Sequence, residues 1–448
     1  MKDMLVNVHH LARVEGHGNI VIDVREGKLR ECRLEIVEAP RYFEAMLRGR
    51  SWQEAAGITC RICGICSVGH TSASIRATED AFGITPSPQT MLIRRALLHG
   101  ETIQSHVLHT YFLAAPDFFG APSVIPLAGS HPVVVKRALK LKRLANDVCH
   151  LLGGRHIHPI ASVPGGFSSL PQECDVEKLL KLIEEARPDI AATVETFAAI
   201  RMPDFTRATE YLALHRDGEY TFLGGAGESL RSTYGEDTLL SEYQSKVREY
   251  PVPHSTAKHV HGGYGAYMVG ALARFEVNGA FLHARAKEAA RALKLVPGTC
   301  NTFLNNIAQV VETVHCFEDL LGCLRMLLDR GIAREIPDVK PRAGRGVGVV
   351  EVPRGTLFHE YEYDDQGLIR KANCIIPTGQ NLHHIEKDME AYVPIALAFG
   401  DEKKATLGFE MLVRAYDPCI SCSTHMLTVC FDDGQSRRAY GAGAVPPS

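Results

Sequence analysis

Two cysteine pairs at opposite ends of the chain constrain its fold more than any other feature. The first pair is Cys63 and Cys66 in "TCRICGICSVGH", and the second, more than three hundred residues later, is Cys419 and Cys422 in "DPCISCSTH". The Cys-x-x-Cys spacing lets both sulfurs of a pair approach the same centre. Since a four-thiolate site requires the two pairs to meet, the sequence predicts one large unit over residues 1–448.

Taken alone, four thiolates favour structural zinc, because closed four-cysteine zinc sites are common. The flanking sequence favours a different kind of site. Each pair stands at the start of a predicted buried helix and is followed by a histidine, His70 or His425, and an arginine stands beside the first pair. Such surroundings suit a buried centre that carries charge, so both interpretations remain open on spacing and flanks.

Composition excludes several classes of partner. The 448 residues are 45% apolar, which is enough for a large core, and the formal net charge of −3 gives no basis for attraction to nucleic acid. No apolar run approaches the roughly 20 residues that span a bilayer, so direct membrane insertion is not expected. Thirteen cysteines without a secretory leader at "MKDMLVNVHH" favour reduced thiols and metal ligands in the cytoplasm.

The periodicity of apolar residues predicts strands at two places. Alternation around the turn "REGK" predicts a β-hairpin from about Asn19 to Val37, within an N-terminal segment of about 5–40. A second strand-like region, about 345–376, contains "GVGVVEV", "TLFHEYEY" and "LIRKANCII" separated by turn residues, which predicts a β-meander.

A helical pattern dominates between these regions, in a core of about 66–335. The stretch "MLIRRALLHGETIQSHVLHTYFL" repeats apolar residues at three- and four-residue steps, and "PVVVKRALKLKRLANDVCHLLGG" ends at a glycine pair suited to a helix C-terminus. Further helices are predicted at about 175–200 with a break at Pro188, at 271–294, and from Asn301 to Arg330. The predicted fold class is therefore α+β, predominantly α: a long-helix bundle with an N-terminal hairpin and a small meander.

Five ordered motifs give the sequence a family resemblance. "RICGIC…H" and "DPCISCSTH" resemble the paired signatures of the large, catalytic subunit of nickel-iron hydrogenases, and "RVEGHG", "EVPRG" and "CIIPT" resemble the remaining boxes of that family. The resemblance runs from about residue 9 to residue 425. It implies the large-subunit fold and the reversible heterolytic cleavage of dihydrogen to protons and electrons. The segment "HIHPIASVPGG" resembles the corresponding sequences of the soluble, cytoplasmic, cofactor-coupled branch of the family.

The resemblance also implies a ligand set. Cys63 and Cys419 would be terminal nickel ligands, while Cys66 and Cys422 would bridge nickel to an iron that carries carbonyl and cyanide ligands. Soft thiolates suit an electron-rich nickel with open positions. Cys419 would accept the proton released from dihydrogen and Glu15 would carry it away; outside the motif, Glu15 would be a surface carboxylate of a hairpin loop.

Residues around the iron follow from the same resemblance. Arg354 would direct its guanidinium at the cyanides, whereas outside "EVPRG" it would be an exposed turn arginine. The other residues expected to line the cofactor are Pro353, Pro377, Thr378 and Asp417. Ser105 stands where many respiratory members carry aspartate, so charge around the site should differ from theirs.

A second, harder metal site is implied for magnesium or iron. Its ligands would be Glu44, the backbone carbonyl of Cys374, His425 and water. Outside the motifs, Glu44 would be read as part of an ordinary salt bridge and His425 as a satisfied core histidine. His425 would close a C-terminal metal-binding segment at 410–425, and the tail at 426–448 would be removable by a maturation protease.

The remaining nine cysteines are predicted to be small apolar core residues, so the chain is expected to hold no iron-sulfur cluster. They are Cys32, Cys60, Cys149, Cys174, Cys300, Cys316, Cys323, Cys374 and Cys430. Electrons would then need an iron-sulfur small subunit, with further electron-transfer subunits, docked on exposed faces of the long helices.

Two non-catalytic alternatives compete with this interpretation. One is a scaffold subunit with a structural four-cysteine zinc site, and the other is a relative of the quinone-site subunit of respiratory complex I. The latter typically lacks these cysteines, whereas all four are present here beside Glu15, Arg354 and His425. The catalytic interpretation is therefore favoured.

Overall fold

Helices and short strands alternate along the chain. The computed structural model describes residues 3–225 and 227–424, together with the backbone of two strands at 429–432 and 437–440. The helices are α1 (Phe43–Leu47), α2 (Trp52–Thr59), α3 (Ser67–Phe82), α4 (Pro88–Val107), α5 (Ala115–Phe118), α6 (Val124–Ser130), α7 (Pro132–Gly153), α8 (Glu173–Glu185), α9 (Arg187–Ala198), α10 (Ala271–Asn278), α11 (Ala284–Ala292), α12 (Asn305–Arg330), α13 (Pro377–Ala398), α14 (Glu402–Ala415) and α15 (Ile420–Ser423).

The strands form small sheets between and beside these helices. They are β1 (Met4–Val8), β2 (Gly18–Arg25), β3 (Lys28–Ile36), β4 (Ser162–Val163), β5 (Gly166–Phe167), β6 (Glu210–His215), β7 (Ser229–Ser232), β8 (Thr238–Leu239), β9 (Arg248–Tyr250), β10 (His259–His261), β11 (Tyr267–Met268), β12 (Gly344–Val352), β13 (Gly355–Tyr363), β14 (Ile369–Ile375), β15 (Val429–Asp432) and β16 (Arg437–Tyr440). The predicted class, α+β with a predominance of helix, is confirmed.

Three long helices pack side by side: α12 against α4, and α4 against α7. Their ends follow the capping rules that the sequence suggested. The Ser87 hydroxyl accepts the Thr90 N–H at 3.0 Å before α4, which starts at Pro88, and Gly154 ends α7 with a φ of 80°. Beyond α4 the chain continues as a π-helical turn, Leu108–Ala114.

Two helix predictions change in the structure. The expected break near Pro188 is present, since α8 and α9 meet at Ala186. The single helix predicted at 271–294 is wrong, because a 3₁₀ turn at Gly279–Phe281 separates α10 from α11. The predicted helical core also contains strands β4 to β11, and the sequence analysis did not identify α13 or α14.

The N-terminal hairpin is the β2–β3 pair, extended by β1 into an antiparallel sheet of order β1-β2-β3. Its turn contains Glu26 and Gly27 with φ values of 52° and 71°. Two successive left-handed residues make the tight turn that matches strand twist, which is why glycine stands at its second position.

The meander of β12, β13 and β14 lies directly on α3. Gly346 and Gly348 face the helix so closely that a Cβ at either position would come 2.1 Å from the Ala77 carbonyl oxygen or 2.0 Å from that of Ala73. Small residues on both elements therefore allow backbone contact between strand and helix. This packing places the start of α3, which carries Cys66 at its N-cap, against the sheet.

The opposite face of the meander covers a second, smaller apolar cluster that includes Leu214, Tyr243 and Phe358. The main apolar cluster extends from Met4 in the N-terminal sheet to Cys422 near the C-terminus, so the two ends of the chain share one core. Among the described residues, no helix combines the length and apolar character needed to cross a lipid bilayer.

Candidate metal centre

The structure brings the two cysteine pairs together. Cys63 and Cys66 lie in the loop between a 3₁₀ turn and α3, while Cys419 and Cys422 flank the start of α15. The four Sγ atoms lie within 4.8 Å of one another, and all four residues are buried. Cys63 Sγ and Cys419 Sγ are 3.6 Å apart. Four sulfurs can therefore surround one small metal site.

Backbone contacts fix the two cysteine loops in place. Cys63 Sγ accepts N–H groups from Ile65 at 3.2 Å and Cys66 at 3.1 Å. Arg41 joins the loops, because its guanidinium donates both to the Ile62 carbonyl at 2.6 Å and to the Ser421 carbonyl. A single, partly buried cation thus holds the residues that precede Cys63 and Cys422.

The four thiols titrate as an interacting set. Burial by itself would raise the pKa of Cys63, but hydrogen bonding with the thiols of Cys419, Cys422 and Cys66, with the Arg354 charge nearby, holds that pKa well below its ordinary value. Burial and the neighbouring thiols raise the pKa of Cys419 well above its ordinary value. The protein alone therefore favours ionisation of Cys63 first, and full ionisation of the set requires a bound cation.

Arg354 offers an unused donor beside the thiols. Its Nε donates to the Asp417 carbonyl at 2.6 Å and its Nη2 to Asp417 Oδ1 at 2.8 Å, while its buried Nη1 has no hydrogen-bond partner among the described residues. Burial would lower the Arg354 pKa, but Asp417 and the thiolates raise it well above its ordinary value. A fixed cation with a free, buried N–H suits an anionic group in the site, so the donor set fits a thiolate-bound metal with anionic ligands.

The turn that carries Arg354 is held by a second arginine. Arg274 donates to Glu351 at 2.8 Å, to the Val352 carbonyl at 2.9 Å and to the Pro353 carbonyl at 3.1 Å. Arg274 is fully buried in α10, so this contact ties the β12–β13 turn to the helices. The position of Pro353 and Arg354 therefore depends on a residue more than seventy positions earlier in the chain.

The N-terminal loop lies across the second cysteine pair. Glu15 Oε2 accepts hydrogen bonds from the Cys419 thiol and the Ser421 N–H, each at 3.1 Å, and the Glu15 carbonyl accepts the Ile420 N–H at 2.9 Å. Gly16 follows with a φ of 88°, and a Cβ there would come 2.7 Å from Ile420 Cβ. Glycine in "RVEGHG" thus permits the close approach that brings Glu15 to Cys419.

The start of α13 provides the facing wall. Pro377 is its first residue, and the Thr378 hydroxyl oxygen accepts the Cys419 N–H at 2.9 Å, which leaves the hydroxyl hydrogen available to donate. Asp417 adopts a left-handed backbone with a φ of 53°, and its Oδ2 accepts a hydrogen bond from Gln309 at 3.1 Å. Its carboxylate is therefore oriented from both sides, by Gln309 and by Arg354.

The residues predicted for a second cation site are only partly described. Glu44 Oε1 accepts the Cys374 N–H at 2.9 Å, while its buried Oε2 has no hydrogen-bond partner among the described residues. Burial raises the pKa of Glu44 to about 7, against the opposing effect of Lys258. His425 lies outside the described residues. A buried carboxylate oxygen without a partner fits a cation at this position.

Sequence reasoning missed several residues that support the thiols, among them Arg41 and Arg274. Glu101 accepts the Val68 N–H at 2.6 Å and the Gly69 N–H at 2.9 Å at the start of α3. The available signal was a carboxylate within an otherwise apolar helical pattern, "LLHGETIQSH".

His70, which the motif contains without a predicted role, lies 3.1 Å from the His359 ring. Burial lowers the His70 pKa to about 4, although Cys63 opposes this. The ring is therefore neutral and serves as a hydrogen-bonding partner rather than a charge.

The remaining cysteines differ from the prediction in part. Cys60, Cys149, Cys316, Cys323 and Cys374 are buried, as expected. The prediction of a core position is wrong for Cys174, which is exposed on α8, and holds only in part for Cys32 and Cys300, which are partly exposed. The side chain of Cys430 lies outside the described residues. Ser105 is buried on α4, and its hydroxyl has no hydrogen-bond partner among the described residues.

Comparisons with known proteins cover nearly the whole chain. Residues 41–128 and 265–425 match the family described as nickel-dependent hydrogenase. The alpha subunit of sulfhydrogenase 1 from Pyrococcus furiosus is 35% identical over 424 residues, covering 94% of this chain and 98% of that protein. A component of the F420-non-reducing hydrogenase from Methanothermobacter thermautotrophicus is 32% identical over 467 residues, covering 96% of this chain and 95% of that protein.

A solved structure gives the same result at the level of the fold. The crystal structure of an NAD+-reducing nickel-iron hydrogenase in the H2-reduced state has 29% sequence identity and a TM-score of 0.85, covering 94% of this chain and 99% of that chain. Both cysteine segments lie within the residues matched by the family.

Proposed function

The chain belongs to the nickel-dependent hydrogenase family, and on that premise we propose that it is the catalytic large subunit of a nickel-iron hydrogenase. Its reaction is the reversible cleavage of dihydrogen into protons and electrons. The observation that carries this proposal is the convergence of four buried thiols beside the unpartnered Nη1 of Arg354. A structural zinc site has no use for such a donor.

Each cysteine has a separate role in this proposal. Cys63 and Cys419 would hold nickel as terminal ligands, and Cys66 and Cys422 would be shared with iron. When bound, the nickel-iron centre supplies the Lewis-acid and redox chemistry that dihydrogen cleavage requires. Support comes from the donor set, since soft thiolates bind such metals and the arrangement allows all four to reach one site.

Glu15 and Cys419 move the proton. The Cys419 thiol donates to Glu15 Oε2 at 3.1 Å, which is within the reach needed for direct proton transfer. Glu15 is only partly buried, so its carboxylate lies between the buried thiol and the surface. A proton received at Cys419 Sγ can therefore move towards solvent by one transfer to the Glu15 carboxylate.

Arg354 and Thr378 orient anionic ligands on iron. The free Arg354 Nη1 would donate to one cyanide, and the Thr378 hydroxyl hydrogen would be available for the other. Pro353 and Pro377 restrict the backbone on either side, and Asp417 fixes the guanidinium. Carbonyl would complete the iron ligands.

A magnesium or iron ion occupies the second site. Glu44 provides the unpartnered Oε2, and the Cys374 backbone and His425 provide further ligands. This ion would neutralise a carboxylate that burial otherwise disfavours.

Electrons leave through a partner. The sequence motif assigns four cysteines to one centre and the other cysteines lack the spacing of an iron-sulfur cluster, so an iron-sulfur small subunit, with further electron-transfer subunits, receives them. The relatives are named as hydrogenase subunits, which supports a multisubunit enzyme. Unpaired thiols at the described cysteines fit a reducing compartment, and we place the enzyme in the cytoplasm.

The C-terminal tail at 426–448 lies beyond the metal-binding segment at 410–425. A maturation protease removes it in this proposal, after nickel enters. Mass determination of the protein from its native host, before and after nickel supplementation, tests the cleavage. An unchanged full-length mass in active enzyme would contradict it.

Infrared spectroscopy tests the central proposal. Enzyme isolated anaerobically from its own host should show sharp carbonyl and cyanide bands that shift when dihydrogen is added. Zinc thiolates give no bands in this window, so a silent spectrum with stoichiometric zinc would instead establish the scaffold alternative.

A pair of variants tests whether the centre that gives these bands is bound by the thiols. Cys419→Ser removes a proposed ligand, and Cys149→Ser is its control. Both residues are buried cysteines, but Cys149 lies outside the four-thiol cluster. The first variant should lose hydrogen turnover and nickel, and the second should keep both. Full turnover in Cys419→Ser would remove that residue from the ligand set.

A further inference from the structure

A second group of metal-ligating side chains lies outside the four-thiol site. His254 precedes β10, His259 begins it, and Glu386 belongs to α13. One ring nitrogen of each histidine and one carboxylate oxygen of Glu386 lie within 4.8 Å of one another. Two imidazoles and a carboxylate are the donor set of many sites that bind zinc and similar ions.

The distances within this group are those of a nearly formed site. His254 Nε2 lies 2.8 Å from Glu386 Oε1, and His259 Nδ1 lies 3.8 Å from Glu386 Oε2. Ligand atoms placed about 2.0–2.1 Å from a tetrahedral ion are separated by roughly 3.4 Å. One separation is shorter and the other longer than this value, and they reach different oxygens of Glu386, so side-chain rotation must precede binding of one ion by all three residues.

The surroundings orient these groups as they would metal ligands. The Leu34 N–H of β3 donates to Glu386 Oε1 at 3.0 Å and fixes the carboxylate. His259 is 1% exposed, and its Nδ1 lies 3.8 Å from Glu386 Oε2, beyond hydrogen-bond distance. An ion pair between His254 and Glu386 therefore engages only one of the two imidazoles, whereas a shared ion would engage both.

We propose that His254, His259 and Glu386 bind one divalent transition-metal ion of the zinc class, at a site separate from the catalytic centre. Water completes the coordination, because His254 and Glu386 are partly exposed and leave one side open. Nitrogen donors select such an ion over magnesium or calcium, which prefer oxygen alone.

The bound ion would join α13, which carries Glu386, to the segment that leads into β10, which carries His254 and His259. That segment already rests on the end of β3 through the Thr256 N–H, which donates to the Ile36 carbonyl at 3.0 Å. Since α13 begins with the residues that face Cys419, the ion stabilises the position of one wall of the catalytic centre.

Equilibrium dialysis of the holoenzyme against Zn²⁺, with elemental analysis, tests the proposal. Excess Mg²⁺ is included in the dialysis to keep zinc out of oxygen-ligand sites. The holoenzyme is used because its nickel-iron centre keeps zinc from the four thiols. The wild type should bind one zinc ion per chain tightly. His254→Gln and Glu386→Gln should weaken this binding at least about tenfold.

Two nearby variants are matched controls. His261→Gln removes a histidine of β10 that is outside the three-residue group and whose ring hydrogen-bonds to the Gly262 carbonyl at 3.2 Å. Glu390→Gln removes a carboxylate on α13 that pairs with Lys387. Both should retain wild-type zinc affinity. Equal zinc affinity in all four variants, or no tight zinc in the wild type, would overturn the proposal.

X-ray absorption at the zinc edge gives an answer even if a variant fails to fold. Zinc-loaded wild type should show imidazole scattering and an oxygen shell near 2.0–2.2 Å. A sulfur shell would assign the zinc to cysteines and reject the histidine site. Unchanged infrared bands in Glu386→Gln would show that its loss of zinc binding does not come from damage to the nickel-iron centre.

Discussion

Glu15 is bound to the second cysteine segment through both its side chain and its backbone. Its Oε2 accepts the Cys419 thiol and the Ser421 N–H, so the carboxylate cannot leave without breaking two contacts. Glu15→Gln keeps an acceptor for Ser421 but cannot take up a proton. Exchange of deuterium gas with solvent protons should fall about 10²–10⁴-fold, while nickel content stays unchanged.

A control for this prediction lies on β3. Glu35→Gln changes a partly exposed carboxylate whose partner is Arg33 at 3.5 Å, remote from any thiol contact described here. It should exchange at the wild-type rate. If Glu15→Gln also exchanged at that rate, another group would have to carry the proton.

Arg354 is predicted to act through a donor that Asp417 leaves free. Arg354→Lys keeps the charge but replaces a planar fork with a single ammonium, which cannot satisfy Asp417 and also reach the site. Turnover should fall about 10²–10³-fold, the usual effect of removing one fixed donor, and the cyanide infrared bands should shift. Arg345→Lys, at an exposed arginine that pairs with the partly buried Glu360, should change neither. Unshifted cyanide bands in Arg354→Lys would mean that the Arg354 Nη1 does not hydrogen-bond to the cyanides.

Sequence reasoning reached the motif residues but not those that hold them. Glu15, Arg354 and the four cysteines stand in short motifs, where neighbouring letters carry the signal. Arg41 contacts the Ser421 carbonyl from 380 positions away, and no spacing in a single sequence records such a pair. Contacts of this kind exist only once the chain has folded.

At the scale of elements, the contact between β12 and α3 depends on glycine. A Cβ at Gly348 would lie 2.0 Å from the Ala73 carbonyl oxygen, which belongs to helix backbone and cannot rotate away. Gly348→Ala should therefore destabilise the protein by about 3 kcal/mol or more, at the upper end for overpacking. Because α3 carries Cys66, nickel content should fall as well. Thermal unfolding and metal analysis measure both effects.

Gly322 is the matched control for Gly348. It lies exposed within α12, and a Cβ there would meet no atom within 4 Å. Gly322→Ala should stabilise the protein by about 0.5–1 kcal/mol, since alanine loses less backbone entropy on folding. A Gly348→Ala protein as stable as the wild type would show that the helix can move off the sheet.

The elements that were predicted from sequence have clear apolar periodicity, and the start of α13, which lines the candidate site, does not. The β12–β14 meander and the long helices α4, α7 and α12 follow their apolar patterns. The inward face of α13 carries Gln380 and Asn381, which bond to the backbone of Thr356 and Val269. Buried polar residues stand in place of apolar ones there, so pattern analysis does not find the part of α13 that lines the candidate site.

At the scale of the whole molecule, one buried ionic network joins the helices to the β12–β13 turn, which carries Arg354. Glu312 on α12 accepts hydrogen bonds from Arg274 at 2.5 and 2.7 Å and from the Tyr220 hydroxyl at 2.6 Å, and it lies 2.6 Å from the His106 ring. Arg274 in turn holds the Val352 and Pro353 carbonyls. Loss of the Glu312 charge should therefore loosen both the helix packing and the turn before Arg354.

This network predicts how stability depends on pH. Burial would raise the pKa of Glu312, but the charge and hydrogen bonds of Arg274, together with His106, hold it well below its ordinary value. A lowered folded-state pKa gives a contribution that is complete above the unfolded value of about 4.3 and is lost as pH falls below it. Glu351, whose pKa burial raises, acts in the opposite sense, so only a variant isolates the Glu312 contribution.

Glu312→Gln should lower the free energy of unfolding by about 3–5 kcal/mol at neutral pH, because Arg274 then loses a buried partner. The difference from wild type should begin to shrink as the pH falls below about 5, because the Glu312 carboxylate of the unfolded wild-type chain takes up a proton while the folded protein still holds it ionised. Glu184→Gln, at the exposed pair with Arg325, should change stability by less than about 1 kcal/mol at every pH. A Glu312→Gln difference that stays constant across this range would mean that the network acts through shape and hydrogen bonding rather than through charge.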